Sequence, residues 1–143
     1  MNSSHEQALR KDAGRFSLLC AALAMTCFVS AGFAQVKTPL KVGTASAQPG
    51  QKVFGTIEVP PGRDTSLSIP VAIVSGARPG PVLALVSGAH GTEYASIIAL
   101  EKLIAMLNPA EISGSVIIVP LVNIASFERK VVHVNPIDGK SMN

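Results

Sequence analysis

Only two cysteines, Cys20 and Cys27, occur in the 143 residues, and tryptophan is absent. Both cysteines fall within the first 34 residues, so no disulfide is available to the remainder, whose stability must come from core burial or from metal. Neither is preceded by the leucine and small residues that mark a lipid-modified cysteine. Aromatic residues make up 4% of the chain and charged residues 15%. Beyond residue 34 the basic positions Lys37, Lys41, Lys52, Arg63, Arg78, Lys102, Arg129, Lys130 and Lys140 are scattered and almost free of interleaved aromatics. The electrostatic footprint of a nucleic-acid binder is therefore missing. A long apolar run is also lacking, because the longest, Phe16 to Val29, is shorter than the roughly 20 residues that cross a bilayer.

What is present at the amino end is a leader. Arg10, Lys11 and Arg15 form a basic region, Phe16 to Val29 an apolar one, and Ser30 to Ala34 offers small residues before a cut. This order predicts a secretory signal peptide over 1–34, cleaved after Ala34, and a secreted or periplasmic destination without a stable membrane anchor. The remainder is long enough for one small domain, not two. Its close, Asn135 to Asn143, is loop-like, and the expectation is a fragment of a longer protein.

Val53, Gly55, Ile57 and Val59 alternate with other residues and predict a half-buried strand. A second alternating run, Leu67 to Ile73, contains Pro70 and predicts an edge strand paired with the first. After the turn at Gly76 to Pro81 the pattern becomes continuously apolar. Val82 to Val86 and Val116 to Val122 read as parallel strands covered on both faces, although the second is expected to leave an unpaired, aggregation-prone edge. Between them, Ala95, Ile98, Ala99, Lys102, Leu103, Met106 and Leu107 form a largely apolar stripe at helical spacing, stopped by Asn108-Pro109. The fold class expected is α/β: a β-rich segment over 35–75, then a βαβ unit in 76–143 with a mixed sheet flanked by helices.

The candidate chemistry lies in Gly88-Ala89-His90-Gly91-Thr92-Glu93, at the carboxyl end of an apolar strand, where open α/β sheets bind ligands. Imidazole nitrogen and carboxylate oxygen are ordinary Zn²⁺ donors, and a catalytic zinc takes three protein ligands and one open position. His90 and Glu93 are thus two candidates for metal, with Glu93 expected in the first helical turn, where the helix dipole favours an acid. From spacing alone an inert loop histidine and an ordinary helix-start acid fit as well. His133 reads as an exposed loop residue, Asp138-Gly139 as a turn, and Arg129 and Lys130 as solvated charges.

The string Pro79 to Glu93, followed by Ile117 to Asn123, Asn135 to Gly139 and Asn143, closely resembles the catalytic domain of the succinylglutamate desuccinylase/aspartoacylase family, relatives of the zinc carboxypeptidases. The resemblance covers about residues 53–143 and implies a zinc carboxypeptidase-like fold, of which the amino-terminal part is present in 76–143. It implies Zn²⁺ as cofactor, His90 and Glu93 as its first two ligands, and Asn143 as an asparagine that holds the carboxylate of an anionic small-molecule substrate. The third ligand and the general base are expected beyond Asn143, so the chain by itself is expected to be inactive, to bind metal weakly and to fold poorly. The implied activity of the intact protein is hydrolysis of amide or ester bonds in acylated amino-acid-like substrates. Two alternatives stay open. One is an α/β-hydrolase, which needs a GxSxG elbow that this sequence lacks; the other is a non-catalytic secreted binding domain.

Overall fold

The computed structural model describes residues 38–62 and 65–142, all within one compact unit, Lys37–Asn143. The leader and its cleavage point lie outside the described residues, as do Lys37, Arg63 and Asn143. Two three-residue strands come first, β1 (Leu40–Val42) and β2 (Ala45–Ala47), paired as an antiparallel hairpin. The alternating runs then form β3 (Lys52–Val59) and β4 (Leu67–Ser75), antiparallel and in register from Lys52↔Val74 to Val59↔Leu67. Near the far end of this pair the Thr56 and Ser68 side chains hydrogen-bond the Glu58 carboxylate and hold its carboxyl below the usual carboxylate range, with Ser68 Oγ donating at 2.7 Å.

The expected parallel unit follows as β5 (Arg78–Val86), α1 (Tyr94–Met106) and β6 (Ser113–Val119), with Val82↔Ser115 through Val86↔Val119 in parallel register. The register slips between Arg78 and Val82, where Pro79 and Pro81 have no N–H to donate. A short helix, α2 (Ile124–Glu128), comes after β6. The four long strands form one mixed sheet in the order β3-β4-β6-β5. The segments 35–75 and 76–143 therefore share a single sheet.

Period-two alternation in β4 and β6 sends successive side chains to opposite faces. Val71, Ile73 and Val119, with Ile117 half-buried beside them, meet Ala45 and Ala47 of the β1–β2 hairpin on one face. Ala72 and Ile118, with Val116, meet Leu100, Leu103, Ile104 and Leu107 of α1 on the other. Among the described residues no helix is long and apolar enough to cross a membrane.

Three expectations need correction. β4 is interior to the sheet, pairing with β3 from Leu67 to Val74 and with β6 through Ala72 to Ser75. Pro70 fits because it lies in the stretch that pairs on the β3 side alone. β6, expected to carry the bare edge, has neighbours on both sides, and β5 is the edge strand. β5 is exposed along nearly all its length, with Val82 56%, Leu83 54% and Val86 60% accessible, because α1 packs over β4 and β6 instead. The stripe assigned to the buried face of α1 is also wrong in part. Ile98 and Met106 face outward at 47% and 79%, while Ile97 and Ile104 are buried.

Candidate metal centre

The start of the loop after β5 is tied to the end of β6 and to the segment that follows it. Ser87 N–H donates to Val119 O at 3.0 Å, Val122 N–H to Ser87 O at 3.1 Å, and Asn123 N–H to Gly88 O at 3.1 Å. The Ser87 hydroxyl donates to the Pro120 carbonyl. Gly88 adopts φ +68°, and a Cβ there would meet the Leu121 side chain at 2.8 Å. This is a conformation that glycine enters without the penalty carried by L side chains.

His90 is 9% exposed, and its Nδ1 is a buried nitrogen with no hydrogen-bond partner. A buried polar atom left unpaired costs about 1–3 kcal/mol, so a Lewis acid at that nitrogen would relieve a penalty that the protein otherwise carries. Glu93 is the N-cap residue of α1 rather than part of its first turn, and its side chain makes no capping hydrogen bond. Its carboxylate is exposed and free of helix-capping duty. The donor set of His90 and Glu93 therefore fits a hard or borderline divalent cation such as Zn²⁺. Among the described residues no group of three or more His, Cys, Asp or Glu side chains is placed to hold a metal ion.

His133 is an exposed loop residue, as expected, and it lies beside His90. Its ring stands edge-on to His90 with centroids 5.2 Å apart and planes at 78°. It reaches this place with φ 70°, and nearby Lys130 has φ 55°. Left-handed backbone costs an ordinary residue roughly 1–2 kcal/mol. Tyr94, at the start of α1, is half-exposed and packs edge-on against Phe127 of α2 at 5.8 Å. Asp138 behaves as expected, accepting from Lys140 N–H at 3.0 Å in a loop closed by Asn135 N–H to Lys140 O at 2.8 Å. Arg129 and Lys130 are exposed.

Two residues given no role from sequence lie beneath the loop. Asn123 caps α2, its Oδ1 accepting from Ser126 N–H at 3.2 Å, and its Nδ2 donates to Ala89 O at 2.9 Å. Ser126 Oγ accepts from Gly91 N–H at 3.0 Å and donates to Val131 O at 2.8 Å. The Asn-x-x-Ser spacing signals a helix start in sequence, but nothing in it announces the contacts to Ala89 and Gly91.

A cavity of about 370 Å³ lies elsewhere, at the opposite end of β5, bordered by Ser75, Arg78, Pro79, Gly114 and Ser115. It touches neither His90 nor Glu93.

Residues 79–143 match the Succinylglutamate desuccinylase/Aspartoacylase catalytic domain. Over 93 residues the chain is 36% identical to the N-alpha-acetyl-L-2,4-diaminobutyric acid deacetylase of Halomonas elongata, covering 62% of this chain and 27% of that protein. It is similar to a succinylglutamate desuccinylase/aspartoacylase from Rhodobacter sphaeroides at 31% identity and a TM-score of 0.57, covering 64% of this chain and 29% of the other. It is also similar to an aspartoacylase family protein from Mesorhizobium loti at 31% identity and a TM-score of 0.62, covering 75% and 33%. The chain thus spans a third or less of the length of each of these relatives.

Proposed function

Because the chain belongs to the succinylglutamate desuccinylase/aspartoacylase family, we propose that it carries the first part of a zinc site that hydrolyses an amide bond in a small acylated amino acid. The observation that carries this reading is the buried, unpartnered Nδ1 of His90, three residues before a carboxylate that serves no cap. Zn²⁺ at such a site supplies Lewis-acid activation of water and of an acyl carbonyl. His90 Nδ1 would donate one lone pair and Glu93 a negatively charged oxygen, which leaves the site less positive than two histidines would. The His133 ring closes one side of the imidazole and limits the approach of water there. Asn143 is the proposed holder of the substrate's carboxylate, and the substrate is accordingly a small anion. The leader pattern supports export of the protein.

The deacetylase relative acts, by its name, on an acetylated diamino acid, and N-acetylated amino acids are the first substrates to try. The α/β-hydrolase alternative loses its footing with the family assignment. Metal uptake by the chain, titrated with Zn²⁺ and with Co²⁺ as a coloured substitute, tests the site directly. Changing outer-shell partners already costs about 10–100-fold in affinity, so His90→Ala and Glu93→Gln are each expected to lose about 100-fold or more. Uptake by His90→Ala equal to that of the unmodified chain would remove the proposal.

A further inference from the structure

We infer that Asn123 and Ser126 are positioning residues that clamp the ligand loop from below and set where His90 stands, a role whose catalytic meaning rests on the metal reading of His90. Both are polar, and both are almost wholly buried, Asn123 at 4% and Ser126 at 0% exposure. Buried polar side chains survive when every group is paired, and beside the cap bond from Ser126 N–H to Asn123 Oδ1 the pairs run to Ala89, Gly91 and Val131. Asn123 grips the residue before His90 through Nδ2 to Ala89 O. Ser126 grips the residue after it through Gly91 N–H to Oγ. The peptide units on both sides of His90 are therefore fixed by two side chains of one short element.

The Ser126 hydroxyl also reaches the loop that carries His133. Its proton goes to Val131 O at 2.8 Å, and Val131 N–H returns to Ser126 O at 3.0 Å. A single buried hydroxyl thus relays from the Gly91 amide to the segment just before His133, and the edge-on contact of the two imidazoles is the geometric result. Gly91 completes the clamp, because a Cβ there would lie 2.1 Å from the Ser126 carbonyl carbon and oxygen. Ligating histidines are commonly oriented by hydrogen bonds to their own rings. In this chain the hydrogen bonds on the two peptide units that flank His90 orient it through the backbone.

Two variants separate positioning from simple support of the fold. Ser126→Ala removes both hydroxyl bonds. Asn123→Asp keeps an oxygen to cap Ser126 N–H, and aspartate is a good N-cap, but it replaces the donor to Ala89 O with a repelling oxygen. The first readout needs no metal: nuclear Overhauser contacts between the His90 and His133 rings, and exchange of the Gly91 amide. Loss of the ring contact in both variants, with Asn123→Asp melting close to the unmodified chain, is the expected result. The second readout is Co²⁺ affinity and its visible spectrum, expected to weaken about 10–100-fold and to change in shape. Ring contacts retained in Asn123→Asp would overturn the inference. So would a Co²⁺ affinity within twofold of the unmodified chain, where that chain binds the ion. If the unmodified chain takes up no metal while the variants lose the ring contact, the positioning role stands and the zinc reading falls.

Discussion

A methyl group on Gly91 has nowhere to go: it would sit 2.1 Å from backbone atoms of Ser126, and backbone cannot swing aside as the end of a long side chain can. Gly91→Ala is expected to destabilise the chain by about 1–3 kcal/mol, the usual cost of overpacking, and to loosen the Ser126 bond at the same time. Chemical denaturation gives the first quantity, and an unchanged midpoint would contradict the close approach. At this scale the chemistry was partly readable from sequence. His90 and Glu93 stood out because donors three residues apart, at the end of an apolar run, carry their own context. Ser126 did not, since its role depends on Gly91, 35 residues away, and serine is common in loops. His133 was read as an exposed loop residue, which it is, but the left-handed backbone that brings its ring beside His90 leaves no mark in composition.

Among the elements, α1 shows how periodicity can mislead. The helix is apolar on more than one side, so Ile98 and Met106 compete with Ile97 and Ile104 for the inner face, and spacing cannot rank them. Packing on Ala72 and Ile118 places Ile104 on the inner face, and Ile97 is buried with it. The same helix has no basic residue in its last turn, where positive charge is favourable. Lys52 of β3 makes good the lack, donating from Nζ to Ile104 O at 2.6 Å and to Ala105 O at 3.3 Å. Lys52→Met keeps the length and removes the charge. A loss of about 1 kcal/mol is expected, read as a lower urea midpoint with an unchanged slope; a midpoint that stays in place would mean that the bond contributes nothing. Proline in β4 misled in another way. It correctly signals a missing ladder partner, but the missing partner affects part of the strand, and Ala72 to Val74 pair on both sides.

For the molecule as a whole, the expectation of an unpaired strand was sound, but it was attached to the wrong strand. Continuous apolar sequence in β5 and β6 is equally compatible with either being central. The antiparallel pairing of β6 with β4 settles it, and that is a long-range choice which a local pattern does not contain. β5 is left presenting Val82, Leu83 and Val86 to solvent, and an exposed apolar edge strand recruits other strands. Leu83→Lys is expected to reduce concentration-dependent association, as charged residues on edges do, with little effect on the melt at high dilution. Sedimentation at several concentrations checks this; association identical to that of the unmodified chain would place the sticky surface elsewhere.

The strand order β3-β4-β6-β5 also bears on the order in which the sheet can assemble. The β3–β4 hairpin closes over a short connection and can form early. β5 has no neighbour until β6, which joins it to the hairpin, takes its place. Until β6 slides between them, at a loop-closure cost spanning both α1 and the β4 connection, neither sheet face is complete and both halves of the core wait on one seven-residue strand.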